Sequence, residues 1–386
     1  MKPFASALGQ VSRHAYAPLC WLIWLSIEVY PPAMPNPTMG MGWMAAGAVA
    51  IFLAMLGCVF SVVRHADHLA DLLGEPLGTL VLTLSATAIE VSLMLMVMLD
   101  GGQNPTLLRD TVFATLMVLL NGVVGLCLTA GGWRHLELEF NLRGALAFLH
   151  LIAPLSLVLL IIPNQARSAT DGALAPAQEG FLGALCVLVY GGFLWLQTGR
   201  HRSLFDHPFQ DQSDGAGEPD PAANGDEPLP VAHPQPDALF TAAAGLLFSI
   251  VPIVLLAEHL GGLINFGLET LHAPSALGGL IVSALVLAPE GLGAFRAAVA
   301  NRMQRAVNIC LGSALSTIAL TVPAVLIAAD VSGHALVLGL AGVEPTLLYA
   351  SLIALLITLV SGRATVLQGQ VHVMLFVGYL FFIFYP

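Results

Sequence analysis

Apolar stretches of about 20 residues, the length that crosses a hydrocarbon core as α-helix, follow one another along almost the whole of this chain of 386 residues. They fall at 15–31, 42–63, 76–99, 110–132, 144–162, 179–198, 238–258, 275–300, 304–328, 345–361 and 366–385. Strand-type alternation is absent, which removes a membrane β-barrel. The expected fold is an all-α polytopic membrane protein of about 11 transmembrane helices. Composition agrees, since only 10% of residues are charged and 57% are hydrophobic, against roughly a quarter charged in a soluble domain. A net charge of −11 argues against nucleic acid as a partner and leaves the lipid bilayer as the surroundings. The five cysteines lie inside apolar stretches without metal-type spacing, so they read as small buried side chains. The N-terminus lacks a compact apolar core followed by a cleavage site, and no cleaved signal is expected.

The basic residues give an orientation. With the N-terminus inside, eleven of the 13 Lys and Arg residues fall on the cytoplasmic side: Lys2, Arg13, Arg64, Arg134, Arg143, Arg200, Arg202, Arg296, Arg302, Arg305 and Arg363. Only Arg109 and Arg167 fall opposite. The positive-inside rule turns this bias into a topology with a cytoplasmic N-terminus and an external C-terminus. A miscounted helix would scramble the asymmetry.

One stretch does not suit a membrane. Residues 203–237 are rich in Pro, Gly and acid, and hold eight of the 24 acidic residues. Such a composition cannot bury a core, so a solvated cytoplasmic linker is expected, with a diffuse cation-attracting or regulatory role as the alternative. The chain then divides into an N-terminal helix (1–37), a first five-helix repeat (38–200), the acidic linker (201–237) and a second five-helix repeat (238–386).

Two carboxylates fall near the middle of an expected span, Glu90 and Glu290. A charge inside the bilayer costs several kcal/mol and persists mainly where it faces a partner, a cavity or an ion path. A protonated glutamate bonded between helices is the plainer alternative for either alone. As a pair they say more. Each sits on the second helix of a five-helix block, and each is followed by a helix carrying small polar residues. These are Thr111, Thr115 and Asn121 in the first block, and Asn308, Ser313, Ser316, Thr317 and Thr321 in the second. Five helices per block forces the second block to enter the membrane in the opposite sense. That is the arithmetic of an inverted repeat whose copies meet at a midplane site.

Local sequence around the glutamates suits cation ligation. Pro289 precedes Glu290, with Gly291, Gly293 and Gly278–Gly279 nearby, so a broken helix with exposed carbonyl oxygens is expected. Around Glu90, Ser85 and Thr87 offer hydroxyls. An all-oxygen set without Cys or His favours Ca²⁺ or Na⁺ over softer transition metals. Two carboxylates facing each other in low dielectric repel, so the empty pair is expected to hold protons. A cation displaces them, which obliges exchange and makes the chain an antiporter.

The stretches GEPLGTLVLTLSATAIEVSLM and PEGLGAFRAAVANRMQRAVNICLGSALSTIALTVPAV resemble the two signature repeats of the cation/proton exchangers, a branch of the calcium/cation antiporter superfamily. The resemblance is strongest to the bacterial ChaA-type calcium (sodium, potassium)/proton antiporters. It covers both repeats closely and the eleven-span layout loosely. It implies one cation- and proton-binding acid per repeat, at Glu90 and Glu290, and a Gly-Ser third-helix element at Gly312 and Ser313 with Ser316 one turn on. The Asn-Arg-Met element after the second acid maps onto Asn301, Arg302 and Met303. It also implies residence in the bacterial inner membrane and Ca²⁺ exchange against H⁺ with no resident cofactor, Na⁺ or K⁺ being the alternative cations. The superfamily's Gly-Asn-Ala-x-Glu reads Ala86-Thr87-Ala88-Ile89-Glu90 and Val286-Leu287-Ala288-Pro289-Glu290 here. Both side-chain amides are missing, and that bears on cation choice.

The expected site is therefore Glu90 and Glu290, supported by Ser85, Thr87, Thr115, Asn121, Pro289, Asn308, Gly312, Ser313 and Ser316. Glu75 stands at the cytoplasmic edge of the first repeat, either guarding access or favouring a helix N-terminus. His65, Asp67, His68 and Asp71 read as an interfacial polar turn or a metal cluster, the turn being commoner. Glu28 and Glu258-His259 read as residues closing their spans. His150 and His372 are either proton relays or satisfied interior histidines. An intramembrane enzyme would need two aspartates or a His-x-x-x-His constellation with an acid, and neither occurs. A channel on the same scaffold would differ by lacking stoichiometric proton exchange.

Overall fold

The computed structural model describes residues 16–30, 41–73, 77–99, 105–165, 175–198, 236–333 and 336–385. These form eleven helical rods: α1 Tyr16–Val29, α2 Met41–Leu73, α3 Leu77–Leu99, α4 Leu107–His135, α5 Leu142–Leu160, α6 Pro176–Thr198, α7 Pro236–Leu271, α8 Ala276–Val299, α9 Met303–Ser332, α10 Glu344–Val360 and α11 Val366–Phe384. Eight contain windows long and apolar enough to cross a membrane, and three shorter apolar helices complete the set. Most of the acidic linker and Glu75 lie outside the described residues.

Two helices run further than their apolar cores. α2 continues through Leu73, so the segment around His65 and Asp67 is helix and not a turn. Nothing in it breaks a helix before the Gly-Glu-Pro at 74–76. α7 continues to Leu271, which puts Glu258 and His259 in mid-helix. There His259 Nε2 lies 4.0 Å from Glu28 of α1.

Helix breaks occur elsewhere than at the proline. α8 is unbroken from Ala276 to Val299 with Pro289 inside it. The expected break is therefore corrected: proline removes one backbone hydrogen bond, while packing on both sides keeps the rod intact. The irregular turns are π-helical segments in the rods that follow each glutamate helix, Met117–Val123 in α4 and Thr317–Thr321 in α9. Met117 lies 27 residues beyond Glu90, and Thr317 lies 27 residues beyond Glu290. The two blocks thus share a backbone irregularity in the same register, which is the imprint of the repeat.

Contacts between connections sort the molecule into two ends. At one, β1 (Leu138–Glu139) pairs antiparallel with β2 (Arg363–Ala364), joining the α4–α5 and α10–α11 connections. His135 reaches Val299 O at 2.9 Å there, and Asn141 N donates to Gln304 at 2.6 Å. At the other end Val337 N donates to Pro105 O, and Leu340 N to Leu160 O, both at 2.8 Å. Arg109, paired with Asp110 at 2.8 Å, donates to Gly339 O at 3.1 Å. Every connection at the ladder end is separated from every connection at the loop end by an odd number of helices. An eleven-pass chain requires that.

α4 and α8 form the central contact between blocks. They run side by side, and a Cβ on Gly279 would stand 2.8 Å from the backbone of Asp110 and Thr111. Glycine is what permits that approach. Ser283 donates to Thr111 O at 3.0 Å and takes the Thr115 hydroxyl at 3.0 Å, so the seam carries polar bonds between the blocks, while the buried Thr111 hydroxyl there has no partner.

Candidate functional site

Glu90 lies on α3 and is buried, with 5% of its surface exposed. Both of its visible partners come from the other block. Thr321 donates to Glu90 Oε2 at 2.6 Å and Thr317 to the same oxygen at 3.1 Å. Thr317 and Thr321 bound the π segment of α9, and residues four apart share one side of a helix, so both hydroxyls face α3. Glu290, on α8, takes a short hydrogen bond from Ser313 of α9 within its own block. Ser313 and Thr317 stand four residues apart on α9, so one rod touches both carboxyls.

The environments of the two acids differ. A cavity of about 560 Å³ reaches Glu290, with walls from α2, α3, α5, α6, α8 and α9. Towards the ladder side it is lined by Asp67, Gln197 and Arg305. Its inner end carries Ser85, Pro289, Glu290, Gly312, Ser313 and Ser316, with Asn308 between. Glu90 is not part of the lining, although its neighbour Ile89 is. Glu290 therefore faces a cavity leading towards the ladder end, while Glu90 is sealed against α9.

Of the expected supporting residues, Ser85, Pro289, Asn308, Gly312, Ser313 and Ser316 share this cavity with Glu290. Ser85 donates back to Val81 O at 2.7 Å and Ser316 to Ser313 O at 2.9 Å, which leaves oxygen lone pairs free to accept. Asn308 takes the Gln304 side-chain amide at 2.8 Å. Thr87 is buried without lining the cavity. Thr115 is spent on the α4–α8 seam. Asn121 is held elsewhere: it donates to Ser351 at 2.8 Å and accepts from His372 Nδ1 at 3.1 Å. His372 Nε2 then takes the Thr358 hydroxyl at 3.1 Å. This fully buried histidine is satisfied at both nitrogens by groups of α4 and α10. His150 bonds its own helix at Leu146 O. Among the described residues no cluster of three or more His, Cys, Asp or Glu could hold a metal, and His65, Asp67 and His68 form none.

Thr317 and Thr321 are the glutamate partners that pattern reading undervalued. Their sequence signal is that of small polar residues at helical spacing in an apolar rod. Only the packing of α9 on α3 shows that they reach the glutamate of the other block.

A chain with this geometry has known relatives. The sodium/calcium exchanger protein family matches residues 43–199 and 241–385, which is α2 to α6 and α7 to α11. The putative ionic transporter y4hA of Sinorhizobium fredii is 36% identical over 95% of this chain and 96% of its own length. The sodium-potassium/proton antiporter ChaA of Escherichia coli is 36% identical over 86% of this chain and 87% of its own. Among solved structures, native YfkE superposes with a TM-score of 0.71 at 15% identity, covering 97% of this chain and 99% of its own. That likeness is one of fold. The chain belongs to the sodium/calcium exchanger family, and it is a multi-pass membrane antiporter, not an enzyme.

Proposed function

We propose that this antiporter exchanges Ca²⁺ for H⁺ by alternating access, with Glu90 and Glu290 binding cation and protons in turn. The observation that carries the reading is the unequal exposure of the two acids. Glu290 faces a cavity at one end of the molecule, while Glu90 is buried against hydroxyls of the opposite block. One end of a midplane site is thus reachable while the other is closed, as an exchanger requires. Two carboxylates with Ser313, Thr317 and Thr321 around them form a hard oxygen set suited to a cation that keeps some water. A divalent ion balances both carboxylates, and two protons balance them equally. The doubly charged empty site is the state that neither partner leaves behind.

Seven described arginines lie at helix ends on the ladder side (Arg64, Arg134, Arg143, Arg296, Arg302, Arg305 and Arg363), against Arg109 alone at the loop end. By the positive-inside rule the ladder end is cytoplasmic. The cavity then faces the cytoplasm, in a bacterial inner membrane with the N-terminus inside. Residues 38–200 and 238–386 act as the two opposed repeats.

Exchange of Na⁺ or K⁺ for H⁺ is the second reading. It is favoured by the 36% identity to a relative named as a sodium-potassium/proton antiporter and by the missing amides beside both glutamates. Inverted vesicles with a preformed proton gradient decide between them: the true substrate collapses the gradient when Ca²⁺, Na⁺ or K⁺ is added in turn. Glu90→Gln and Glu290→Gln should each abolish the collapse in protein that still inserts. Normal exchange by either variant would refute the two-carboxylate mechanism.

A further inference from the structure

Helix α1 lies outside the matched residues 43–199 and 241–385, yet one of its polar contacts falls at the proline of α7. Pro252 sits inside α7 and carries no amide hydrogen. The carbonyl of Phe248, four residues earlier, therefore has no partner within the helix. Trp21 of α1 donates its indole N–H to that carbonyl at 3.0 Å, and its ring stacks on Phe248 at 5.8 Å. The next carbonyl, of Ser249, takes the Cys58 thiol of α2 at 3.2 Å. The Ser249 hydroxyl lies 3.3 Å from that of Ser61, also on α2. α1 is tied to α2 as well, because the Cys20 thiol donates to Ala54 O at 3.1 Å.

The energetic reason lies in the medium. Inside a bilayer no water is present to satisfy a freed carbonyl, so its partner has to come from a neighbouring helix. α1 supplies that partner at the place where α7 is weakest. A proline-loosened turn bends most easily, and a donor fixed in space selects one bend over others.

We propose that Pro252 is a hinge in α7 and that Trp21 is the positioning residue which fixes its bend. α1 thereby governs how readily α7 moves against α2. α2 walls the cavity that reaches Glu290. α7 occupies the corresponding first position of the second block and packs on α2 and α3, the helix of Glu90. A change of bend in α7 therefore acts on the closed side of the site. The consequence for transport rests on the alternating-access reading above, while the hinge itself does not.

A double-mutant cycle tests it. Trp21→Phe keeps an aromatic ring and removes the donor. Pro252→Ala restores the amide, so the Phe248 carbonyl no longer needs an outside partner. In lipid nanodiscs, hydrogen exchange of the α7 amides around residues 248–256 should quicken about five- to tenfold in Trp21→Phe, the ratio expected for one net hydrogen bond. Exchange in Pro252→Ala should be at or below wild type, and the double variant should match Pro252→Ala. Vesicle turnover should change severalfold in Trp21→Phe alone and show no further change from it in the Pro252→Ala background. Wild-type amide exchange in Trp21→Phe, or an equal Trp21→Phe effect with and without the proline, overturns the hinge. If the wild-type protein moved no cation against protons, the transport reading would fall while the amide-exchange cycle still decided the hinge.

Discussion

Replacing Thr321 by valine keeps the branched shape of the side chain and removes the closer of the two hydroxyls on Glu90 Oε2, at 2.6 Å against 3.1 Å for Thr317. Glu90 is too buried for water to take the vacated place. A hydrogen bond to a charged group contributes about 1.5–3 kcal/mol, and each 1.4 kcal/mol is about tenfold in an equilibrium constant. A buried carboxylate short of one donor is less stable as the charged group with which a cation pairs. Thr321→Val should therefore raise the half-saturating cation concentration about ten- to a hundredfold in the vesicle assay. Thr317→Val, with the longer contact, should raise it less. The double variant should fall short of the product of the two, because both hydroxyls serve one oxygen. Thr358→Val is the control: it removes a hydroxyl of similar burial that belongs to His372, and it should leave half-saturation unchanged. A Thr321→Val protein that folds and saturates like wild type would refute the role given to the Thr321 hydroxyl.

Other perturbations follow from packing and polar satisfaction. Gly279→Ala puts a methyl 2.8 Å from the α4 backbone, so it should destabilise the protein by about 1–3 kcal/mol, read as a lower melting temperature in detergent. Ser283→Ala leaves Thr111 O and the Thr115 hydroxyl without their partner, and about 1–3 kcal/mol of stability should be lost. His372→Leu strands Asn121 Oδ1 and the Thr358 hydroxyl. It should lower thermal stability by a similar amount with little change in half-saturating cation concentration, whereas a proton-relay histidine would give the opposite pattern.

Much of the fold is legible because lipid imposes a length. The apolar runs at 144–162, 345–361 and 366–385 find their helices at Leu142–Leu160, Glu344–Val360 and Val366–Phe384. Legibility fails where a helix leaves the hydrocarbon without meeting a breaker. At Arg64–Leu73 and Glu258–Leu271 the residues turn polar, but no proline intervenes, so the backbone continues. Pro289 misleads for the converse reason, since a breaker in a well-packed rod costs one hydrogen bond and not the helix. At the site, the glutamates stand out because charge is scarce in these spans. Their partners do not, because serine and threonine are common in transmembrane helices. Ser283 and Thr115 serve a helix seam with the same chemistry that Thr317 and Thr321 bring to Glu90.

The repeat is one of backbone more than of chemistry. Advancing each position of the first block by 200 residues pairs Met117 with Thr317, Asn121 with Thr321 and Phe113 with Ser313. The second block presents hydroxyls at all three positions, and all three reach a glutamate. The first block presents a phenyl ring packed edge-on to Tyr379 at 5.4 Å, a thioether, and an amide engaged by Ser351 and His372. In the proposed arrangement, inversion of the backbone brings two acids from opposite directions to one region. The hydroxyl donors that reach them, however, all come from α9, while α4 contributes none to either carboxylate among the described contacts. Two half-sites with unequal partners cannot be equal in energy. On the alternating-access reading, the conformation in which α9 grips Glu90 is therefore favoured by contacts that the two-fold-related arrangement, with Met117 and Phe113 in the corresponding places, has no groups to reproduce.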